Sequence, residues 1–477
     1  MDHEFRKIRE GLIEIGTVSL RVQRDEFKVI IDEYAAEAVF KFVPSTMLSQ
    51  LQGWARSVYS LDQHVDAILA YRRQKLPEPT DDVWNQTKQH TLQLFRRFPK
   101  ITPISYKSFD EVKWISSSSA GYGYVGHKGD GDNYLKARRT AVTIAEKLDH
   151  DRNYAPEAIN QSTPDVAFTR TQLSQVKVKT KVRNVWGEAF HYVLLEGLFA
   201  DPLINFFSNE ESFYFIGRNP LLSVPTLIEE IFKSKDYVYA FDWSGFDASV
   251  QEWEIRFAFQ CLESQLIFPS NVEAQIWRFI VELFIYRKIA APNGTLFLKT
   301  LGIPSGSCFT NMIGSVVNYV RIQYMFKKLT DDFVEAYTHG DDSLAAVSTA
   351  QYIPLEKFGP ICEPFMWSIN TLKSEVSREG RLTTFLSRSI RDKQNYRDEF
   401  VCLRMLVYPE YEVEDGSISA LRAKSIYVDA GIHSQYLYHV FLYLKQKYGL
   451  ANTLPHNLRT WDPTEHEALR ASYSNIM

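Results

Sequence analysis

The sequence predicts a mixed α+β fold, and three features carry the prediction. Apolar residues recur at helical spacing over long stretches, as at Val272 to Phe284 and Tyr436 to Tyr448. Asn293-Gly294 separates two strand-like runs, Tyr286 to Ala291 and Thr295 to Leu301, which is a strong hairpin signal. A second hairpin lies in Val334 to Val347, where two mostly apolar runs flank His339-Gly340-Asp341-Asp342. Gly340 lets the tip bend sharply, and consecutive strand residues point to opposite faces, so Asp341 and Asp342 are expected to do different jobs. Taken alone, the tip also reads as a solvent-exposed turn, since Gly and Asp are common turn residues.

With 477 residues, 45% hydrophobic and 23% charged, the chain can bury a large core and has the composition of an ordinary globular protein. A net charge of -4 argues against a surface that coats nucleic acid, so any such contact is expected in a local basic groove. Cys261, Cys308, Cys362 and Cys402 stand apart without paired spacing, which suggests neither a disulfide framework nor a zinc site and fits a reducing compartment. The amino terminus lacks a signal-peptide pattern. No apolar run approaches the ~18 residues of a membrane span, and the most hydrophobic helix candidate, around Ala274 to Tyr286, contains Arg278 and Glu282. The expectation is a soluble, intracellular protein with no membrane partner.

Taken in order, residues 1 to about 75 read as mainly helical, from the spacing of Phe27, Ile30, Ile31 and Tyr34 and of Leu48, Leu51 and Trp54. Pro77 and Pro79 break the chain, and Thr80 or Asp81 can cap a helix through Trp84 to Phe95. Ser116 to Gly131 is dense in Gly and Ser. It is either a surface loop or one that lays backbone amides against phosphates and stacks its aromatics. No Gly-Lys-Ser/Thr closes it, so it is not a P-loop.

Val176 to Trp186 alternates strictly. As one strand it would place Lys177, Lys179, Lys181 and Arg183 on one face and Val176, Val178 and Val182 on the other. Four like charges along a face call for an anion, a triphosphate or RNA backbone; an edge strand guarded by lysines is the alternative. After a helical region near His191 to Leu198, the apolar strand Tyr237 to Phe241 ends in Asp242, and a turn through Gly245 leads to Asp247 at the start of a helix, where it can also cap. Gly302 to Asn311 is a Gly/Ser loop opening a long helix through Ile313 to Tyr324. Asn311, Ser315 and Asn318 form a polar stripe on it, expected to meet a polar ligand or the acidic hairpin. Leu382 to Ile390 is a strand candidate, and Arg391 to Met477 reads as mostly helical.

Two acidic tips far apart in the chain, a basic strand and a hydroxyl-rich loop before a helix make a coherent set. Carboxylates as the main ligands point to a hard cation, Mg²⁺ or alternatively Mn²⁺. Two such ions ~3.5–4 Å apart can activate a hydroxyl and stabilise a leaving pyrophosphate. Phosphoryl transfer is mostly positioning and electrostatics, for which this inventory suffices.

The ordered series of the basic strand, Asp242-x4-Asp247, Gly302-x-Pro304-Ser305-Gly306 with Thr310, and Gly340-Asp341-Asp342 resembles motifs F, A, B and C of viral RNA-dependent RNA polymerases. With Ser119-Ala120-Gly121-Tyr122-Gly123-Tyr124 as motif G, Lys373 as motif D and Phe385-Leu386-Ser387-Arg388 as motif E, it most resembles the partitivirus-type enzymes of small double-stranded RNA viruses. The resemblance covers roughly residues 115 to 390. It implies a right hand with closed fingertips: fingers with an amino-terminal extension over 1–236, palm over 237–253 and 301–390, a fingers insertion over 254–300, and a thumb over 391–477.

It further implies that Asp242 and Asp341 hold two metals with Asp342 assisting. Asp247 would read the ribose hydroxyls, supported by Ser305 and Thr310, and Lys181 and Arg183, with Lys177 and Lys179, would clamp the triphosphate. Lys373 would donate a proton to pyrophosphate, and Ser119, Gly121, Tyr122, Gly306 and Arg388 would touch RNA. Related positive-strand enzymes often place an Asn nine residues after the motif B serine, but here that position is Gly314, so ribose discrimination falls to Asp247 with Ser305, Thr310 or Asn311. Reverse transcriptases typically carry a bulky aromatic at the Asp247 position, whereas a carboxylate accepts a hydrogen bond from the 2′-hydroxyl. A non-catalytic RNA-binding or capsid-associated protein on a degenerate polymerase fold is the rival of another class, against which the clustered carboxylates argue, since they repel one another without a cation. The implied partners are an RNA template and product, ribonucleoside triphosphates and a viral capsid protein. The implied location is the virion interior in the host cytoplasm.

Overall fold

The computed structural model describes residues 4–20, 23–151, 153–178 and 181–455. Its centre is the helix Thr310–Thr330, buried almost continuously from Met312 to Phe326. A helix buried on all sides belongs inside a large core, and this one packs against the helices Asp82–Arg97 and Glu252–Glu263 and the strand Glu335–His339.

There are two larger sheets, and the first of them packs against that helix. The first is wholly antiparallel, in the order Glu375–Ser377, Tyr237–Ala240, Asp342–Val347, Glu335–His339. The second has five strands in the order Leu12–Thr17, Thr295–Lys299, Arg287–Ala290, Asp165–Gln172, Lys181–Gly187, of which Asp165–Gln172 and Arg287–Ala290 run parallel. Both expected hairpins are present. His339 pairs with Asp342, leaving Gly340 and Asp341 as a two-residue loop. Gly340 takes a φ of 61° at the first loop position, where tight hairpins of the II′ kind require glycine.

The helix Asp82–Arg97 begins as expected, with the Trp84 N–H donating to the side chain of Asp81 at 3.1 Å. The carboxy-terminal helices Glu399–Val407, Gly416–Ala430 and Gln435–Tyr448 share a hydrophobic cluster with the helix Glu33–Phe42. Asp32 locks the two ends of the chain together, capping Glu33–Phe42 through the Ala35 N–H at 3.0 Å while accepting from Arg422 at 2.5 Å and Ser419 at 2.7 Å. Among the described residues no helix is long and apolar enough to cross a membrane.

Three expectations need correction. Residues 1 to 75 are not mainly helical. Leu12–Thr17 is a strand zipped onto Thr295–Lys299, and Phe27 and Ile31 precede the helix and are exposed, so their helical spacing lines no buried face. The alternating stretch from Val176 is not one strand. Val176 to Val178 form a turn with both valines exposed, and the strand begins at Lys181. Leu382 to Ile390 is likewise broken: Phe385 and Arg388 bridge around Leu386 and Ser387, whose φ values of 52° and 59° make a tight turn, and only Ser389–Arg391 is extended.

Candidate active site

Asp242 follows the last residue of the strand Tyr237–Ala240 by two positions and is half-buried. Its N–H donates to Ser374 Oγ at 2.9 Å, and its carbonyl accepts from the Asn370 N–H at 2.8 Å. The segment that fixes Asp242 also carries Lys373, exposed, one residue from that serine. Strand pairing of Tyr237–Ala240 with Asp342–Val347 then brings the acidic hairpin alongside.

The three carboxylates feel one another. Burial, then the charges of Asp341 and Asp242, pushes the Asp342 carboxyl up to about 6. Asp247, on the short helix Phe246–Ser249, is also pushed up to about 6 by burial and by Asp341, against the opposing pull of Ser305 and Arg183. Among the described residues no lysine, arginine or histidine pairs with Asp242, Asp341 or Asp342 in a salt bridge. Converging carboxylates without a counter-charge are a donor set that fits a hard divalent cation.

Among the described residues, the group whose ligand atoms all lie within 4.8 Å of one another is Glu188, Glu196 and Cys308, a closer spacing than the aspartates have. There the positive charge is already supplied. Arg287 donates to Glu188 at 2.8 Å, Glu196 at 3.0 Å and Asp165 at 3.2 Å. Glu196 also accepts from Ser307 Oγ and the Cys308 N–H, both at 2.8 Å, so this buried ionic knot anchors the loop ahead of the central helix.

That loop meets Asp247. Ser305 Oγ donates to Asp247 Oδ2 at 3.0 Å, and Thr310 Oγ1 donates to the Pro304 carbonyl at 2.5 Å. Lys299 is fully buried and donates to three carbonyls, those of Phe284, Ile285 and Gly302, at 2.7 to 2.8 Å. Gly306 lies so close to the strand Lys181–Gly187 that a Cβ on it would sit 1.6 Å from the Trp186 carbonyl oxygen.

The polar stripe faces the acidic hairpin. Ser315 Oγ accepts the Gly340 N–H at 2.7 Å, and Asn318 Nδ2 donates to the carbonyls of Gly340 at 3.0 Å and Asp342 at 3.3 Å. Asn311 accepts from the Tyr214 hydroxyl at 2.8 Å, with its Nδ2 beside Gly340. Gly314 packs against Gly340, Phe246 and Ile303, and a Cβ there would stand at ordinary contact distance from all three, 3.5 to 3.7 Å.

Lys181 and Arg183 are exposed on their strand, Arg183 close enough to Asp247 to act on its charge. Lys177 lies in the preceding turn, and Lys179 falls outside the described residues. Cross-strand pairing adds Arg170, directly opposite Arg183, which sequence reasoning missed. Ser119, Lys128, Arg170 and Gly306 line one cavity of about 300 Å³. Gly121 packs against the backbone of Glu188 and Ala189, and Tyr122 is half-buried beside it. Arg388 is the exception. It is buried, bonded to the Asp429 carbonyl at 2.9 Å and carboxylate at 2.5 Å, and therefore ties the turn to the carboxy-terminal helices instead of facing RNA. A larger cavity of about 810 Å³ opens beside the strand Glu335–His339, but none of the four aspartates lines it.

Sequence reasoning also missed Arg321, fully buried on the central helix. It binds Glu254 through two nitrogens at 2.7 and 2.9 Å and lies over the rings of Trp243 and Phe246, the neighbours of Asp242 and Asp247. Its signal was a charged residue inside an otherwise apolar helical run.

The comparisons agree with this geometry. The chain superimposes on the RNA-dependent RNA polymerase of a human picorbirnavirus with a TM-score of 0.68 at 15% identity, over 90% of this chain and 86% of that one. The insertion-loop deletion mutant of that enzyme matches at 0.66 and 16%, over 89% and 88%. The fold is thus the right hand of those polymerases. In sequence, 216 residues are 26% identical to the genome polyprotein of simian hepatitis A virus genotype V (isolate AGM-27), covering 42% of this chain and 10% of the relative. A further 26% match over 204 residues, 40% of this chain and 9% of the relative, is to the genome polyprotein of human hepatitis A virus genotype IIIA (isolate NOR-21). The chain spans about a tenth of the length of these curated relatives. Residues 30–445 match the family described as viral RNA-dependent RNA polymerase, and the chain belongs to that family.

Proposed function

We propose that this chain copies an RNA template by transferring nucleotides from ribonucleoside triphosphates to a growing 3′-hydroxyl, with release of pyrophosphate. The observation that carries the reading is the convergence of Asp242, Asp341 and Asp342 without a protein counter-charge, next to a hydroxyl-bonded Asp247 and an exposed Arg183. Divalent cations bound by these carboxylates, Mg²⁺ or Mn²⁺, supply activation of the attacking hydroxyl and neutralise charge on the leaving pyrophosphate.

The chain's own residues do the rest. Asp247, held by Ser305, accepts a hydrogen bond from the ribose. Arg183, Lys181 and Arg170 offset the charge of the triphosphate. Lys373 stands on the segment bonded to Asp242 and serves as proton donor to the leaving group. The motif series further supports a partitivirus-type enzyme that replicates and transcribes a double-stranded RNA genome, working with a capsid protein inside the virion in the host cytoplasm. It also supports fingers over 1–236, a fingers insertion over 254–300 and a thumb over 391–477.

The test is incorporation on a single-stranded RNA template with all four ribonucleotides and then all four deoxyribonucleotides. Template-complementary RNA is expected, with loss of at least a thousandfold in Asp341→Asn and a smaller loss in Asp342→Asn. Normal synthesis by Asp341→Asn would sink the metal assignment.

A further inference from the structure

The segment Tyr71 to Leu76 passes beside the turn that carries Gly245 and is fastened at nearly every residue. The Tyr71 hydroxyl donates to the Ile303 carbonyl at 2.7 Å, and the Arg73 carbonyl accepts from the Gly11 N–H at 2.6 Å. Gln251 donates to the Gln74 carbonyl at 3.2 Å and accepts from the Leu76 N–H at 2.9 Å, and Lys75 pairs with Glu252 at 2.9 Å.

Arg73 alone among these side chains carries a charge that is neither exposed nor balanced. It is half-buried, its Nε donates to the Ala70 carbonyl at 3.3 Å, and among the described residues it has no ion pair. Its Nη2 lies against Gly245, 3.0 Å from where a Cβ would stand, in the turn that joins Asp242 to Asp247. Burial and the neighbouring Arg321 both work against its charge. Arg321 gives no relief, since Glu254 already holds it. A partly buried cation beside another cation is costly unless an anion joins it. No fold-building role offsets that cost, because the backbone of the segment is already fixed by other residues.

We propose that Arg73 binds the triphosphate of the incoming ribonucleotide beside the Asp242–Asp247 turn. The proposal rests on the polymerase reading of the same cleft. It gives the amino-terminal segment a direct part in substrate binding.

The experiment measures binding of a fluorescent ribonucleoside triphosphate to the full chain, and its competition by inorganic tripolyphosphate, in wild type, Arg73→Ala, Arg73→Lys and the exposed neighbour Arg72→Ala. Arg73→Ala is expected to weaken both nucleotide and tripolyphosphate about tenfold, with RNA affinity and Tm unchanged; Arg73→Lys recovers part of the loss and Arg72→Ala matches wild type. Tripolyphosphate affinity unchanged in Arg73→Ala overturns the proposal, as does an equal loss in Arg72→Ala. Should Arg73→Ala fail to fold, Arg73→Lys decides: wild-type tripolyphosphate affinity together with a lowered Tm assigns Arg73 to structure alone. Because the readout is binding, wild-type protein that binds tripolyphosphate but makes no RNA would sink the polymerase reading and leave Arg73 standing.

Discussion

The indole N–H of Trp243 donates to Asn318 Oδ1 at 2.9 Å, while the other end of the same amide holds the carbonyls of Gly340 and Asp342. One side chain on the central helix thus spans both acidic elements. Asn318 is completely buried, so each bond it makes replaces one that water cannot supply. Asn318→Leu keeps the volume and leaves the indole and two carbonyls unpaired. It is expected to cost about 2–3 kcal/mol of stability, and to lower kcat at least tenfold with little change in RNA affinity. Chemical denaturation and single-turnover incorporation check this; a drop in stability with kcat intact would mean that the latch does not set the spacing of the carboxylates.

A pH dependence follows from Asp247 and Asp342, both pushed up to about 6. An acid whose folded pKa stands above its unfolded value of ~3.9 binds its proton more tightly when folded. The contribution of these groups to stability is therefore present at low pH and lost as pH rises through about 6. Without divalent cations, Tm is expected to fall from pH 5 to pH 7.5 more steeply in wild type than in Asp342→Asn. Cation binding requires the ionised carboxylates, so the gain in Tm on adding Mg²⁺ should grow over the same interval. A Mg²⁺ gain that is equal at both pH values, or undiminished in Asp342→Asn, would count against a cation at this cluster.

Much of this site was legible because its signals are local. Gly340 with two aspartates, Asn293-Gly294 and the stripe Asn311, Ser315 and Asn318 each sit within a few residues, and the hairpins and the polar helix face appear where the sequence puts them. What was not legible depends on partners distant in sequence. Leu12–Thr17 is a strand only because Thr295–Lys299 pairs with it. Arg388 looks like a cleft residue until Asp429 is brought to it, and Arg170 gains its place from being opposite Arg183. The valines that made Val176 to Trp186 alternate end in solvent at Val176 and Val178, since no layer covers that part of the run.

Asp247 and Ser305 give a prediction about the sugar. The hydroxyl that fixes Asp247 leaves the other carboxylate oxygen free to accept from a ribose, and Gly314 contributes no side chain to the task. Asp247→Ala is expected to lower the preference for ribonucleotides over deoxyribonucleotides by about 10- to 100-fold, which corresponds to about 1.4–2.7 kcal/mol. Ser305→Ala should shift it in the same direction by less, because Asp247 then loses a guide but not its acceptor. Ratios of kcat/KM for each sugar, measured on one template, are the check. An unchanged ratio in both variants would move discrimination to Asn311 or Thr310.

The contact between Gly306 and Trp186 joins the loop before the central helix to the basic strand, and no side chain fits between them. A methyl group at Gly306 would meet a main-chain carbonyl at 1.6 Å, and backbone on both sides means that no flexible tip can move aside. The loop must then separate from the strand Lys181–Gly187, carrying Ser305 away from Asp247 and widening the gap to Arg183. Gly306→Ala is expected to cost about 1–3 kcal/mol, the range of overpacked sites, and to reduce incorporation more than tenfold, with a rise in KM for the nucleotide. Gly359→Ala, where a Cβ has nothing within 4 Å, is the matched control and should leave both unchanged. Wild-type KM in Gly306→Ala would separate the loop from the proposed nucleotide site, since the same displacement that relieves the clash must move Ser305 relative to Asp247 and Arg183.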